Sequence, residues 1–254
     1  AAGLRGGFAL FGDAGGLAAN RLDDGQRIAL VPEAVGAQIG VGMNRPVTPQ
    51  QLRASIANGS IVDLIQWRPV AKGDVIFIPA GTIHALGAGI VLAEIQQRSD
   101  TTFRLFDYGR QRELHVDNGV AVADVFPLRP PRHPVSLTLE RTVLVASQHF
   151  VLERIELPED SSWALLANSE TWVLVLDGHA AIGLAALSIG QAIFASGGRA
   201  SIEVGANGLT ALVAYPASSP IGSLLHRLSG QSIKPVQPVA ADPAKLTALA
   251  EEHT

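Results

Sequence analysis

The sequence predicts an all-β protein made of two β units in tandem, the first carrying a small helical insertion. Three observations lead there. Short apolar runs recur along most of the chain and are separated by Gly-, Pro-, Asn- and Asp-containing turns, the pattern of a sandwich or barrel. Pro127-Leu-Arg-Pro-Pro-Arg-His-Pro134 places four prolines in eight residues, a break that neither strand nor helix crosses easily. The window from Thr48 combines helix-start chemistry with helical spacing. The expected organisation is therefore a first unit over 1–126 with a helical insertion at about 48–66, a linker at 127–134, a second and degenerate unit over 135–216, and a tail over 217–254.

Taken in order, the opening stretch is glycine-rich and loop-like, with one short strand at Phe8–Phe11. Gln26–Val31 and Ala37–Gly42 read as strands, the latter through its alternation of small and apolar residues. Thr48, Pro49 and Gln51 spell an N-cap, a proline at the first helical position and a capping box. Leu52 and Ile56, then Ile61, Leu64 and Ile65, fit one or two short helices broken at Asn58-Gly59. Val75–Ile78 is an apolar strand closed by Pro79; Ala80-Gly81 turns the chain and delivers His84. With Ile90–Ala93 beyond Gly87 and Gly89, this reads as a hairpin with a histidine near its tip. Glu94, Gln96, Arg98, Asp100 and Arg104 share one parity and would face one side of an unbroken strand. Val120–Val125 suits a strand or a short helix. Beyond the prolines, strands are expected at Thr142–Ala146, Phe150–Leu157, Thr171–Leu176, Ala180–Leu184, Gln191–Ala195, Ala200–Val204 and Leu209–Tyr215, with turns at Asp177-Gly178 and Asn207-Gly208. The tail is a docking arm or a mobile end, with a short helix over Ala244–Glu252.

Composition narrows the function. With 47% hydrophobic and 17% charged residues, the chain is globular rather than disordered. A net charge of -4 without a Lys/Arg run argues against nucleic acid. No apolar run has membrane-spanning length and no signal sequence is visible, so a cytoplasmic protein is expected. The absence of cysteine removes thiolate metal sites, leaving His, Asp, Glu or Gln as ligands.

The spacing Gly73-x5-Pro79-x-Gly81-x2-His84 resembles the second cupin motif. The longer string PAGTIHALGAG, LAEIQQRSDTTFRLFDYGR and RELH resembles the core of type I mannose-6-phosphate isomerases. That resemblance implies two tandem cupin-type, jelly-roll barrels. It also implies metal-dependent, usually zinc-dependent, interconversion of mannose 6-phosphate and fructose 6-phosphate in carbohydrate metabolism. Carried over by position, it makes His84 a metal ligand and puts Arg104 and Glu94 in the catalytic pocket. Lys72, Gln96 and Arg110 become substrate-binding neighbours. The family's remaining ligands come from Q-x-H-P and K-x-E segments, and neither occurs before Lys72; no histidine precedes His84. The position of the expected glutamate falls near Gln26, and Asp23, Asp24 or Glu33 are the nearby carboxylates. The chain is thus expected to be a fragment or a divergent member.

Gly190-x5-Ser196-x-Gly198-x2-Ser201 repeats the motif spacing with a serine in place of His84. Serine is a poor zinc ligand, which makes the second unit structural. Three functions compete: the isomerase, a non-catalytic sugar-phosphate-binding or regulatory cupin, and a structural protein whose sheet edges pair in a homodimer. The plain alternatives for single residues are a solvated ion pair for Glu94 and Arg104, ordinary hydrogen-bonded roles for His115 and His149, and core or interface positions for Trp163 and Trp172.

Overall fold

A computed structural model describes residues 4–10, 17–20, 27–34, 37–88, 90–97, 102–128 and 133–228. The first half runs β1 (Leu4–Leu10), β2 (Leu17–Asn20), β3 (Arg27–Ala34), β4 (Gln38–Met43), α1 (Pro49–Asn58), α2 (Ile61–Leu64), β5 (Ile65–Pro69), β6 (Val75–Ile78), β7 (His84–Leu86), β8 (Ile90–Gln97), β9 (Thr102–Phe106) and α3 (Val116–Val122). The second half continues with β10 (Val135–Ser136), β11 (Arg141–Ala146), β12 (Val151–Leu157), β13 (Ser162–Ala167), β14 (Thr171–Ile182), β15 (Ala185–Ser188), β16 (Ala192–Ala195), β17 (Gly198–Tyr215) and β18 (Leu225–Arg227). The chain is mostly β, as its patterning predicts. No helix among the described residues is long and apolar enough to cross a membrane.

Two antiparallel sheets form the first half, in the orders β1-β8-β3-β6 and β5-β4-β7-β2-β9. They face each other across an apolar interior where Ile76, Ile78, Ile90 and Leu92 of one meet Ile39 and Val41 of the other. The helices cover the outside of the second sheet. Leu52, Ile56 and Ile61 pack there on Ile83, Ala85 and Leu105. The start of α1 is the one read from the sequence: Gln51 N–H donates to Thr48 Oγ1 (3.1 Å), Thr48 N–H donates to Gln51 Oε1 (2.8 Å), and Gly59 closes the helix at φ 81°.

The expected hairpin over 75–97 is not formed. Strand β3 lies between β6 and β8, and β7 belongs to the opposite sheet. Pro79 stops β6, Gly81 turns at φ 80°, and the chain crosses to the facing sheet before returning. The single-parity reading of Glu94 to Arg104 changes for the same reason. Glu94 and Gln96 lie on β8, whereas Arg104 lies on β9 in the other sheet. Arg98 and Asp100 fall outside the described residues, as do Asp23, Asp24, Gln26 and the expected helix at Ala244–Glu252.

The second half is one nine-stranded antiparallel sheet curled around a core that includes Val151, Ile155, Trp163, Val173, Ile202 and Val213. Its spine is β17, which pairs with β12, β13 and β14. Asp177-Gly178 and Asn207-Gly208 are not turns between strands but irregularities inside long strands. The β14–β17 register shifts on either side of Gly178. Gly178 (φ 75°) and Gly208 (φ 73°) meet there, and a Cβ on Gly178 would lie 2.0 Å from Gly208 O. Buried Arg141, Glu153 and Tyr215 join the same interior. Arg141 grips Glu153 with two bonds of 2.8 Å and holds the carbonyls of Ile221 (2.8 Å) and Gly222 (3.1 Å). The Tyr215 hydroxyl donates to Glu153 and accepts from Ile221 N–H (3.1 Å). Burial, then this bond to an anion, pushes the Tyr215 phenol above its ordinary range. Residues leading to β18 are thereby docked, with Leu224 and Leu225 in the core. Ser201 faces away from that core, because its neighbours Ala200 and Ile202 pack into it.

The two halves meet back to back. Ala93 and Ile95 of β8, with Val75 and Phe77 of β6, pack on Leu144, Phe150, Leu152, Leu174, Leu212 and Ala214. Strand β8 therefore presents Leu92, Glu94 and Gln96 to the inter-sheet space and Ala93 and Ile95 to the second half.

Candidate functional site between the two sheets

His84 opens β7 and is 8% exposed. It stands opposite Val41 of β4 on one side and Ala18 of β2 on the other. Ala18 in turn stands opposite Arg104 of β9. Residues directly opposite in an antiparallel ladder share a face. Val41 fixes that face as the inner one, so His84 and Arg104 both project between the sheets. Their backbones lie two strand spacings apart, roughly 10 Å. From the other sheet, Glu94 and Gln96 continue the inner row of Ile90 and Leu92 and are partly buried. By register, His84 and Arg104 thus lie on the inner face of one sheet and Glu94 and Gln96 on the inner face of the other.

The His84 ring approaches Thr82 O through Nδ1 at 3.1 Å. A proton on Nδ1 donated to that carbonyl directs Nε2 as the ligating atom, the usual arrangement of a metal-binding histidine. The Thr82 hydroxyl beside it is buried without a hydrogen-bond partner among the described residues. A metal nevertheless needs three or four protein ligands. Among the described residues no three His, Asp or Glu side chains converge on such a point. The described residues alone do not fit a zinc ion.

Lys72 and Arg110 are placed elsewhere. Lys72 is exposed on the turn before β6, whose register puts it beyond the Leu30–Val75 end of the sheet, away from Gln96. Arg110 follows β9 and lines an open cleft of about 1050 Å³ on the outer side with Trp67, Tyr108, Asp63 and Gln38.

Between β9 and α3 the chain makes a charged loop. Asp107, 3% exposed, takes a two-bond grip from Arg112, with Nε at 2.8 Å, while Arg110 Nε lies 3.7 Å away. Asp107 is covered by its arginine partners rather than sunk in the core. The Arg112 hydrogen bond, outweighing desolvation and aided by the charges of Arg112, Arg110 and Arg104, holds its carboxyl below the usual carboxylate range. The loop then returns to Arg104. The Arg104 guanidinium donates to Glu113 O (3.1 Å), Arg104 N–H donates to His115 Nδ1 (3.2 Å), and His115 N–H donates to Arg104 O (2.7 Å). Sequence spacing singles out neither Asp107 nor these His115 contacts, because every bond of His115 here is to a backbone group.

Comparison with known proteins fits this geometry. No protein-family model matches the chain. A mannose-6-phosphate isomerase of Streptococcus mutans is 38% identical over 128 residues, 46% of this chain and 39% of that protein. The mannose-6-phosphate isomerase ManA of Bacillus subtilis is 41% identical over 105 residues, 39% of this chain and 33% of that protein. Over less than half of its length the chain is similar to named mannose-6-phosphate isomerases. Its matches span about two fifths or less of these relatives' length. The crystal structure of the mannose 6-phosphate isomerase from Bacillus subtilis aligns with a TM-score of 0.70 at 19% identity, covering 80% of this chain and 72% of that one. A mannose 6-phosphate isomerase bound with zinc and yttrium aligns at 0.51 with 14% identity, covering 76% and 66%. These structural likenesses establish the isomerases' cupin-like fold for the chain.

Proposed function

We propose that the chain is a mannose-6-phosphate isomerase-like protein of two tandem cupin-type barrels, acting on a sugar phosphate between the two facing sheets. The boundaries that suit this reading are 1–126 and 135–216, joined by the proline-rich linker 127–134. What supports it is the placing, by register, of His84 and Arg104 on one inner sheet face and Glu94 and Gln96 on the facing one, in a chain whose matched stretch is 38% identical to a named isomerase.

The chemistry follows from the groups. Isomerising the aldose removes the C2 proton and returns one to C1, while a hydroxyl proton moves from O2 to O1. Glu94 is the carboxylate placed to shuttle the carbon-bound proton. Arg104 offers forked donors to the enediolate or the phosphate, and Gln96 orients a hydroxyl. Were a divalent metal held, His84 would be one ligand; Gln26, the other residue proposed from the sequence, lies outside the described residues.

A second reading is a cytoplasmic sugar-phosphate-binding cupin without catalysis, favoured by the lack of a three-ligand cluster among the described residues. Elemental analysis of wild type and His84→Ala, beside an isomerase assay and a mannose 6-phosphate titration, separates the two. Near-stoichiometric zinc lost in His84→Ala, with turnover, supports the enzyme. Binding without metal or turnover supports the binding protein. Neither metal nor binding overturns both. Gel filtration against mass standards tests the expected homodimer.

A further inference from the structure

Strand β9 is the last strand of its sheet in the order β5-β4-β7-β2-β9. Among the described residues its outer backbone groups therefore have no neighbouring strand. At Arg104 they are nevertheless satisfied, both by one residue: His115 N–H donates to Arg104 O, and His115 Nδ1 accepts from Arg104 N–H. An imidazole nitrogen stands where a strand carbonyl would be. We infer that His115 is a positioning residue for Arg104, fixing its backbone at the open edge so that the guanidinium is delivered in one orientation. The inference rests on the proposed sugar-phosphate reading for its functional meaning.

Further observations support it. The Arg104 guanidinium is tied to Glu113 O, two residues before His115, so one short segment holds both ends of Arg104. His115 is itself anchored: its carbonyl accepts from Gly119 N–H at 2.8 Å at the start of α3, and its ring lies 6.2 Å from that of Phe103. Helix α3 packs closely on β9 at Gly119, where a Cβ would lie 2.3 Å from Leu105. His115 also occupies the N-cap position of α3 yet makes no side-chain cap bond. A merely structural cap would spend its ring on a helix N–H; this ring is spent on Arg104. Because Nδ1 accepts, the ring proton must sit on Nε2.

Nitrogen-15 NMR of wild-type protein reads the tautomer directly, with the His115 signal assigned by its loss in His115→Asn. The expected result is a ring protonated at Nε2; a proton on Nδ1 overturns the inference. Arg104 Nε–H relaxation is then compared in wild type, His115→Ala and His115→Asn, whose Oδ1 can accept in place of Nδ1. The expected result is an ordered guanidinium in wild type and His115→Asn and a mobile one in His115→Ala. Affinity for mannose 6-phosphate should fall about tenfold in the alanine variant and recover to within about threefold in the asparagine variant. Unchanged order and affinity in a folded His115→Ala overturn the inference. If wild type fails to bind mannose 6-phosphate, the sugar-phosphate reading falls, while the tautomer and the Arg104 dynamics still decide the clamp.

Discussion

Among single residues, the buried polar ones carry the sharpest expectations. Removing the Glu153 carboxylate leaves the Arg141 charge buried and unpaired, so Glu153→Ala should lose about 3–5 kcal/mol in a urea titration. Tyr215→Phe deprives Glu153 of a donor and Ile221 N–H of an acceptor, and should cost about 1–3 kcal/mol. Asp107 sets a pH dependence. Its folded pKa lies below the unfolded value of about 3.9, so its contribution is complete above that pH and disappears as pH falls through the folded value. The Tm gap between wild type and Asp107→Asn should be widest near neutrality and close as the pH drops below about 4; a gap that widens in acid contradicts the assignment. Site residues were legible in the sequence to the extent that they obey alternation or motif spacing. Motif spacing marks His84, and alternation puts Glu94 and Gln96 on one face of β8, whereas Arg104 lies on β9 of the facing sheet. The motif neighbours Lys72 and Arg110 sit close to them in sequence, but the intervening turns carry them to other surfaces. His115 escaped because bonds to backbone leave no partner residue type to search for.

Elements were legible where local chemistry decides and misread where pairing decides. The helix at Pro49–Asn58 follows from three residues that satisfy its first turn. The strand at Ser162–Ala167 is not legible, since its run Trp163-Ala-Leu-Leu-Ala167 shows no alternation and is built of helix-favouring Ala and Leu. Val75–Gln97 looked like a hairpin because sequence cannot show that β3 inserts between its arms. Asp177-Gly178 and Asn207-Gly208 carry turn chemistry, yet left-handed glycines serve a bend within a strand as well as a reversal between strands. That distinction is testable. Gly178→Ala combines φ 75° with a Cβ 2.0 Å from a carbonyl oxygen, whereas Gly183→Ala has φ 60° and nothing within 4 Å. The first should destabilise by more than about 2 kcal/mol and the second by about 1 kcal/mol, measured by chemical denaturation. Equal losses would mean that the two strands do not bend together.

Across the whole molecule, the polar patch depends on packing behind it. Strand β8 presents Glu94 and Gln96 on one face and is backed on the other by Phe150, Leu152 and Leu212. Phe150→Ala, at a fully buried position, should cost about 3–5 kcal/mol. It should also speed amide exchange in β8, far away in sequence; exchange confined to β12 would argue that the halves are independent. The β1–β8 pairing has a consequence in time as well as space. Leu4–Leu10 pairs with Ile90–Gln97 and with no other strand among the described residues. During translation at about 5–20 residues per second, the early strand must wait several seconds for its partner to leave the ribosome. Until then its backbone is open to chaperones and to neighbouring nascent chains. Slowing synthesis between the two segments should therefore lower the soluble yield more than slowing it after Gln97.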